Sequence, residues 1–159
     1  LAASNAPCHK HTHPWKFFIM KENIRQELIP TITKLAQEKS QKNNSKDLAK
    51  DVQRAVNKII LPPVIIAVAS KKTPNDNFRE KEDYAASVCA LHNLVLSFWD
   101  NGIGSQWTTG AITRHQETYS ALNIDSTKYE IIGFVKSGYP AAVPKVSKLS
   151  VNDISVYLD

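Results

Sequence analysis

The fold is decided by the stretch REKEDYAASVCALHNLVLSFWDN, which occupies residues 79–101. Its apolar residues recur at helical spacing but spread around the helix axis more widely than one stripe. A helix that is apolar on most faces is buried on most faces, and Asn101-Gly102 has the composition of a C-terminal cap. We therefore expect a long helix from about Arg79 to Asn101, at the centre of the domain or in a subunit interface. Cys89 is expected to be buried in this helix as a small hydrophobic residue.

Three apolar segments on either side of this helix have the composition of β-strands. The run WKFFIM (15–20) is short and aromatic, and VIIAVA (64–69) is a continuous run rich in β-branched residues, which is typical of a buried strand. The run IIGFVK (131–136) ends at Gly138-Tyr139-Pro140. Between the long helix and this last run, the segment IGSQWTTG (103–110) is predicted to be a loop or a short strand.

Further helices are predicted at three places. The pattern over residues 22–37 is helical, and Pro30 is expected to kink or divide the helix. A polar, Lys-rich and mobile stretch then leads into a helix over residues 46–59, and a short helix is predicted at residues 115–122. The last nineteen residues, from Ala141, predict an extended tail that packs against another surface. This order predicts an α+β layer fold, although the alternation also allows a βαβ unit.

Length and composition limit the class of protein. The 159 residues suffice for one domain, which we expect to span residues 1–159, and 42% of them are hydrophobic. The formal net charge of +5 fits a solvated Lys surface or a pocket for an anionic cofactor, and the even spread of lysines argues against nucleic acid. The sequence has no apolar run long enough to span a membrane and no signal-peptide pattern.

The two cysteines indicate the redox setting of the protein, and the N-terminal residues bear on whether a segment precedes them. Cys8 and Cys89 form no disulfide framework, so a reducing, cytoplasmic setting fits best. The chain opens LAASN without an initiator Met and resembles the end of a helix that enters a loop. We therefore expect a further segment upstream.

The segment NAPCHKHTHPW (5–15) holds three histidines and a cysteine within six residues. In an extended segment His9, His11 and His13 would point to one side and could ligate zinc, but no second Cys/His cluster supplies further ligands. We therefore predict no metal site. A polar loop with hydrogen-bonding histidines is a second interpretation. A third is a cofactor loop, in which backbone N–H groups, imidazoles and Lys10 lie near an anion.

Two segments of the chain resemble one known family. Ala6-Pro7-Cys8-His9-Lys10, followed by Pro14-Trp15-Lys16-Phe17, is similar to the signature of the nitroreductase family, and its His-Lys form resembles the small, minimal branch. Downstream, Gly102-Ile103-Gly104-Ser105-Gln106-Trp107-Thr108-Thr109-Gly110 is similar to the Gly-aliphatic-Gly-Ser-x-Trp segment of that family.

Two further matches lie in the helix and in the last strand. They are Glu82-Asp83-Tyr84-Ala85-Ala86, with Asn93-Leu94 further along the same helix, and Ile132-Gly133-Phe134 with Gly138-Tyr139-Pro140. Each match alone is a weak signal. Together, the matches occur in the same order as in the nitroreductase family and cover nearly the whole chain, so the chain is identified as a member of that family.

The resemblance implies a fold, a cofactor and an assembly. The fold is a three-layer α+β arrangement with a central, mostly antiparallel sheet flanked by helices. The cofactor is FMN, bound without a covalent bond at a homodimer interface that the long helix largely forms. The cofactor-binding positions implied by the resemblance are Asn5, Cys8, His9, Lys10, Trp107, Thr108, Thr109 and Gly110. For Trp107, packing in the core is the alternative.

The implied activity is electron transfer from NADH or NADPH through FMN to a small organic acceptor, such as a nitroaromatic compound or a quinone, by a ping-pong cycle. Hydride transfer depends on stacking geometry rather than on a nucleophile, so no catalytic side chain is predicted. The alternatives are a flavin carrier without turnover and a small metal-binding protein.

The chain departs from the family pattern at the phosphate of the flavin. Members of the family begin with a helix and an Arg-Arg-Ser-type motif that binds this phosphate, and the present sequence contains no such motif. Many relatives also carry a basic residue after the last Gly-x-Pro. Lys145 and Lys148 are the candidates for that role here, although their spacing fits poorly.

Overall fold

The computed structural model describes residues 1–158 as four strands, seven helices and two short 3-10 turns. The strands are β1 (Trp15–Ile19), β2 (Val64–Lys71), β3 (Gly104–Thr108) and β4 (Tyr129–Gly138). The helices are α1 (Glu22–Glu27), α2 (Ile29–Lys42), α3 (Leu48–Ile60), α4 (Asn77–Asp100), α5 (Ala111–Arg114), α6 (Gln116–Ala121) and α7 (Val151–Ile154). The 3-10 turns are Ala3–Asn5 and His9–His11.

The four strands form one sheet in the order β1-β2-β4-β3, and every neighbouring pair is antiparallel. The α+β fold is therefore confirmed, and the βαβ alternative is wrong because a βαβ unit requires parallel strands. The register between β2 and β4 shifts between Val68 and Ala69, which leaves an irregularity at Ile132 and Gly133 of β4.

Two apolar clusters cover the two faces of the sheet and give the molecule three layers. The first cluster joins the sheet to α1, α2, α3 and α6, and its buried members include Leu28, Ile32, Ile59, Ile65, Tyr119 and Phe134. The second cluster joins the opposite face to α4 through Ile66, Val68, Leu91, Ile132 and Val135. Side chains alternate along β4, so Phe134 faces the first layer and Val135 faces α4.

Proline divides the first helical segment as expected. Helix α1 ends at Glu27, and Pro30 lies in the first turn of α2, where its missing N–H leaves no intrahelical bond unmade. Helix α2 continues to Lys42, so the beginning of the stretch predicted to be mobile is helical. The hydroxyl groups of Ser40 and Ser45 both donate to the carboxylate of Asp51 and tie this end of α2 to α3.

The structure decides between the two alternatives predicted for residues 103–110, a loop or a short strand, and corrects the expected burial of Cys89. The segment 103–110 contains the strand β3, because its alternating residues pair with β4 at the edge of the sheet. Cys89 is exposed, since the residues that α4 buries are Asp83, Ala86, Ser87, Ala90 and Leu91, on the other side of the helix. A broad apolar helix thus has one face on the sheet and a second apolar face that points outwards.

The C-terminal tail is extended as predicted, except for the unpredicted single turn α7. A capping box starts that turn, because the side chains of Ser150 and Asp153 each bond the other residue's backbone. Several large apolar side chains of the tail are exposed: Val143, Val146, Leu149, Val151, Ile154, Val156, Tyr157 and Leu158. Within residues 1–158, none of the helices combines the length and the apolar character that crossing a membrane requires.

Candidate functional site

The loop before β1 has a backbone that most residues avoid. Lys10, His11 and His13 have φ angles of 50°, 53° and 43°, in the left-handed region. For residues other than glycine this conformation costs roughly 1–3 kcal/mol each and is found most often at functional sites. The backbone N–H groups of Cys8, His9 and Lys10 donate to no group within residues 1–158. The loop therefore presents free hydrogen-bond donors beside three imidazoles and a lysine.

A buried carboxylate holds this loop against α4. Asp83 is only 3% exposed, and its side chain accepts hydrogen bonds from Thr12 Oγ1 at 2.9 Å and from Arg79 Nε at 3.3 Å. Arg79 Nη2 also donates to the carbonyl oxygen of His9 at 3.2 Å. Further along α4, Asn93 Nδ2 donates to the carbonyl oxygen of Ala2 at 3.2 Å. Helix α4 thus fixes both ends of the N-terminal segment and offsets the cost of its strained backbone.

Sequence reasoning missed Thr12, Arg79 and Asp83 as positioning residues. Asp83 is quoted in a motif in the sequence analysis but is assigned no role there. Its position could have been predicted from the helical spacing, because Asp83 falls in line with Ala86 and Ala90 on the buried face of α4. A carboxylate at such a position needs buried donors, and the donors came from a loop far away in the sequence.

The four N-terminal residues of the predicted cofactor site lie together on this loop. Asn5 ends the first 3-10 turn and is exposed, as are His9 and Lys10. Cys8 is partly exposed, and its Sγ lies 3.8 Å from Nδ1 of His13. His9 Nδ1 lies 4.0 Å from Glu82 Oε1, a contact between half-exposed side chains that contributes little to stability.

Trp107 is held in place by an irregularity in the neighbouring strand. Its indole N–H donates to the carbonyl oxygen of Ile132 at 3.2 Å, at the point where the register of β4 shifts. A Cβ atom at Gly133 would overlap the indole ring, so glycine makes room for the ring. Trp107 pairs with Val135 on the α4 side of the sheet and remains 41% exposed. Packing therefore accounts for one side of the ring and leaves the other side open.

The other three predicted residues of this segment do not lie beside the ring of Trp107. Thr108 points to the opposite face of the sheet, where its hydroxyl donates to the carbonyl oxygen of Phe134 at 3.3 Å. Thr109 is exposed. Gly110 precedes α5, and its carbonyl oxygen accepts from the backbone and hydroxyl of Thr113. The side chains of Trp107 and Thr108 therefore do not share one site.

The structure does not bring the two predicted segments together within one chain. The loop leads into β1 at one edge of the sheet, whereas Trp107 lies on β3 at the other edge. Three strand spacings separate these edges, or about 14 Å between the backbones. A single ligand that contacts both segments of one chain would have to span that distance.

Two further expectations concerned metal ligands and the phosphate of the flavin. The idea that the three histidines point to one side is wrong, because left-handed residues turn the loop. Within residues 1–158, no three His, Cys, Asp or Glu side chains are grouped so that they could hold a metal ion. Lys145 and Lys148 lie on the exposed tail and form no ion pair with a described residue.

Known proteins resemble this chain in sequence and in fold. The sequence profile of the nitroreductase family matches residues 1–139. YfhC of Bacillus subtilis strain 168, named as a candidate NAD(P)H nitroreductase, is 28% identical over 148 residues, which cover 92% of this chain and 73% of YfhC.

Two crystal structures share the fold. A nitroreductase-like family protein from Bacillus cereus has a TM-score of 0.75 at 22% identity, over 99% of this chain and 80% of that protein. A nitroreductase with bound FMN from Bacteroides fragilis has a TM-score of 0.69 at 20% identity, over 98% of this chain and 82% of that protein. The three-layer arrangement is thus shared by proteins of this family, and the family profile covers most of the 159 residues. The chain belongs to the nitroreductase family.

Proposed function

We propose that the protein is an FMN-dependent oxidoreductase that moves electrons from NADH or NADPH to a small organic acceptor. The observation that carries this proposal is the loop of residues 5–13, with its free N–H donors and its left-handed backbone held by Asp83. Such a loop suits an anion or a heterocycle that carries hydrogen-bond acceptors. Family membership and the FMN bound by the Bacteroides fragilis protein support FMN as the ligand.

Four of the eight predicted residues have side chains whose chemistry suits FMN. Asn5, His9 and Lys10 offer polar or charged groups at the surface of the loop, and Trp107 offers an open aromatic face. An aromatic face stacks on a flat ring system, and N–H groups hydrogen-bond to its polar edge. When bound, FMN supplies the redox step by taking a hydride from NADH or NADPH and passing electrons to the acceptor. The protein's task is to position the ring and to limit access to it.

The proposed active form is a homodimer with FMN at the subunit interface. The separation of about 14 Å between the two segments in one chain supports this, since the loop of one subunit and β3 of its partner could then meet. The outward face of α4 supports it as well, because Leu96 and Trp99 are 51% and 56% exposed in the single chain. A contiguous apolar surface of this kind marks an interaction site.

We propose a ping-pong cycle for this electron transfer. NAD(P)H and the acceptor would use the same exposed side of the ring in turn, so no side chain needs to act as a nucleophile. We propose nitroaromatic compounds and quinones as acceptors. These flat, electron-poor molecules suit a pocket that is shaped for stacking.

Steady-state kinetics test this proposal. Initial rates of NADH and NADPH oxidation by the flavin-saturated protein would be measured at several concentrations of a nitroaromatic compound and of a quinone. We expect parallel double-reciprocal lines, which are the signature of a ping-pong cycle. A protein that retains FMN but oxidises neither nucleotide would instead be a flavin carrier.

A further inference from the structure

A lysine on an inner strand points into the helical layer on the far side of the sheet from α4. Lys136 belongs to β4, which lies between β2 and β3, and it pairs with Ile65 and Gln106. Its side chain lies on the same face as Phe134 and Ile65, both of which are buried. Lysines are among the residues least often buried, because the ammonium group is strongly hydrated. This position therefore requires an explanation.

The side chain of Lys136 lines a cavity of about 430 Å³ between α2, α3 and α5. That volume lies within the usual range of small-molecule sites. The apolar part of the cavity wall is formed by Ile32, Leu35, Ala36, Ala55, Ile59 and Ile112. Ile32 and Ile59 are core residues, so the floor of the cavity is continuous with the core.

The charged part of the cavity wall is strongly positive. The wall contains one carboxylate, that of Asp51, and four basic side chains, those of Lys39, Arg54, Lys58 and Lys136. Its formal charge is therefore +3. Clefts lined by charges of one sign concentrate the field of those charges and attract counter-ions.

Asp51 is already engaged by other groups. Its carboxylate accepts hydrogen bonds from the hydroxyl groups of Ser45 and Ser40 and lies 3.9 Å from Arg54. These hydrogen bonds, from Ser45 first and then Ser40, hold the pKa of Asp51 below its ordinary value. The one acid of the cavity is therefore fixed at the wall beside α2 and does not pair with Lys136.

No carboxylate within residues 1–158 forms an ion pair with Lys136. Burial is the main cause that lowers the pKa of Lys136, and the positive charge of Lys58 lowers it further. The charged form of Lys136 is thus unfavourable at this position, and a bound negative charge would stabilise it.

We propose that this cavity binds an organic anion, a carboxylate or phosphate group carried on an apolar body. The anionic group would lie between Lys136 and Lys58, and the apolar body would lie against Ile32, Ile59 and Ile112. The cavity lies on the opposite side of the sheet from α4 and the loop of residues 5–13, although the predicted cofactor residue Gly110 directly precedes Ala111 of its lining. This inference does not depend on the proposed activity, because neither FMN nor a nucleotide takes part in it.

Binding of decanoate to the flavin-saturated protein tests the proposal. Calorimetric titration is expected to show one saturable site per chain, with no release of flavin into the filtrate. Lys136→Met, which keeps the apolar stem and removes the charge, is expected to weaken decanoate binding about tenfold or more. Lys34→Met is the matched control, because Lys34 is an exposed lysine of α2 that does not line the cavity. It is expected to leave the affinity unchanged.

Two further probes separate the charge from the apolar body. Decanol should bind at least tenfold more weakly than decanoate if the ammonium groups recognise the anion. Inorganic phosphate should also bind more weakly than decanoate, because it makes no apolar contact. The proposal is overturned if decanol binds as tightly as decanoate, if Lys136→Met and Lys34→Met behave alike, or if decanoate displaces the flavin. Equal binding of phosphate and decanoate would overturn the apolar part of the site.

Discussion

At the scale of single residues, Asp83 has the largest expected effect on the candidate flavin site. This buried carboxylate accepts bonds from both Thr12 and Arg79, and Arg79 in turn holds the carbonyl group of His9. Asp83→Asn leaves the partly buried Arg79 without its charged partner. We expect a loss of about 1–3 kcal/mol in the free energy of unfolding. Flavin affinity should fall as well, because the loop would no longer be fixed.

Glu82→Gln is the matched control for Asp83→Asn. Glu82 is adjacent in sequence, but its contact with His9 is long and half-exposed, so we expect a change within about 0.5 kcal/mol. Urea unfolding and flavin titration of the two variants measure both effects. Equal behaviour of the two variants would contradict the positioning role of Asp83.

Gly133 is required by the ring of Trp107 rather than by a turn. A methyl group at Gly133 would overlap the indole, whereas a methyl group at Gly110 would meet nothing within 4 Å. We expect Gly133→Ala to cost about 1–3 kcal/mol of stability through overpacking, and Gly110→Ala to cost much less. Thermal unfolding of both variants gives the comparison. A Gly133→Ala protein that unfolds at the wild-type temperature would show that the indole does not occupy this space.

Lys136 gives a pH-dependent prediction for the protein without added anions. Its folded-state pKa lies below the ordinary value of 10.5, mainly because of burial, so the charged lysine destabilises the fold. The destabilisation is complete below the folded-state pKa and disappears as the pH rises from there towards 10.5. Lys136→Met should therefore be more stable than wild type at neutral pH, by on the order of 1 kcal/mol, since the side chain is only partly buried.

Urea unfolding from pH 7 to pH 10.5 measures this difference for Lys136→Met and for the control Lys34→Met. The advantage of Lys136→Met should shrink as the pH rises. A pH-independent difference would mean that the charge of Lys136 is not the cause.

At the scale of elements, the sequence pattern was sufficient to predict a strand from a continuous apolar run and a helix boundary from a proline. The run VIIAVA predicted β2, and Pro30 predicted the division between α1 and α2. The strand β3 was ambiguous, because its polar residues and short length resemble a loop and only pairing with β4 distinguishes them. The exposure of Cys89 was missed, because helical periodicity does not tell which of two apolar faces meets the sheet.

The outward face of α4 has a spacing that predicts helix pairing. Ala85, Cys89, His92, Leu96 and Trp99 are all exposed and follow each other at alternating intervals of four and three residues. This is the spacing of a helix that packs along another helix. We therefore expect Leu96→Glu to dissociate the proposed homodimer, which light scattering would detect as a halved mass.

Leu61→Glu is the control for Leu96→Glu, because Leu61 is 69% exposed and does not lie on α4. Cys89 supplies a second measurement, since a thiol in the interface should react slowly with an alkylating reagent in wild type and rapidly in Leu96→Glu. A Leu96→Glu protein that remains a dimer would show that α4 does not form the interface.

At the scale of the whole molecule, one chain leaves two apolar surfaces without cover. These are the outward face of α4 and the tail, where Val156, Tyr157 and Leu158 are 84%, 85% and 90% exposed. Both surfaces are consistent with a second copy of the chain that also completes the flavin site. The sequence predicted the family and the loop, since both depend on local motifs. It did not predict that the two flavin segments lie at opposite edges of the sheet, because the strand order β1-β2-β4-β3 depends on contacts between distant parts of the chain.

The central claim is that this protein binds FMN. The most direct measurement is the absorption spectrum of freshly purified protein, titrated with FMN and followed by acid release and identification of the chromophore. The account predicts a protein-bound flavin spectrum that saturates at one FMN per chain, with intact FMN released by acid. A protein that stays colourless after incubation with excess FMN would contradict it.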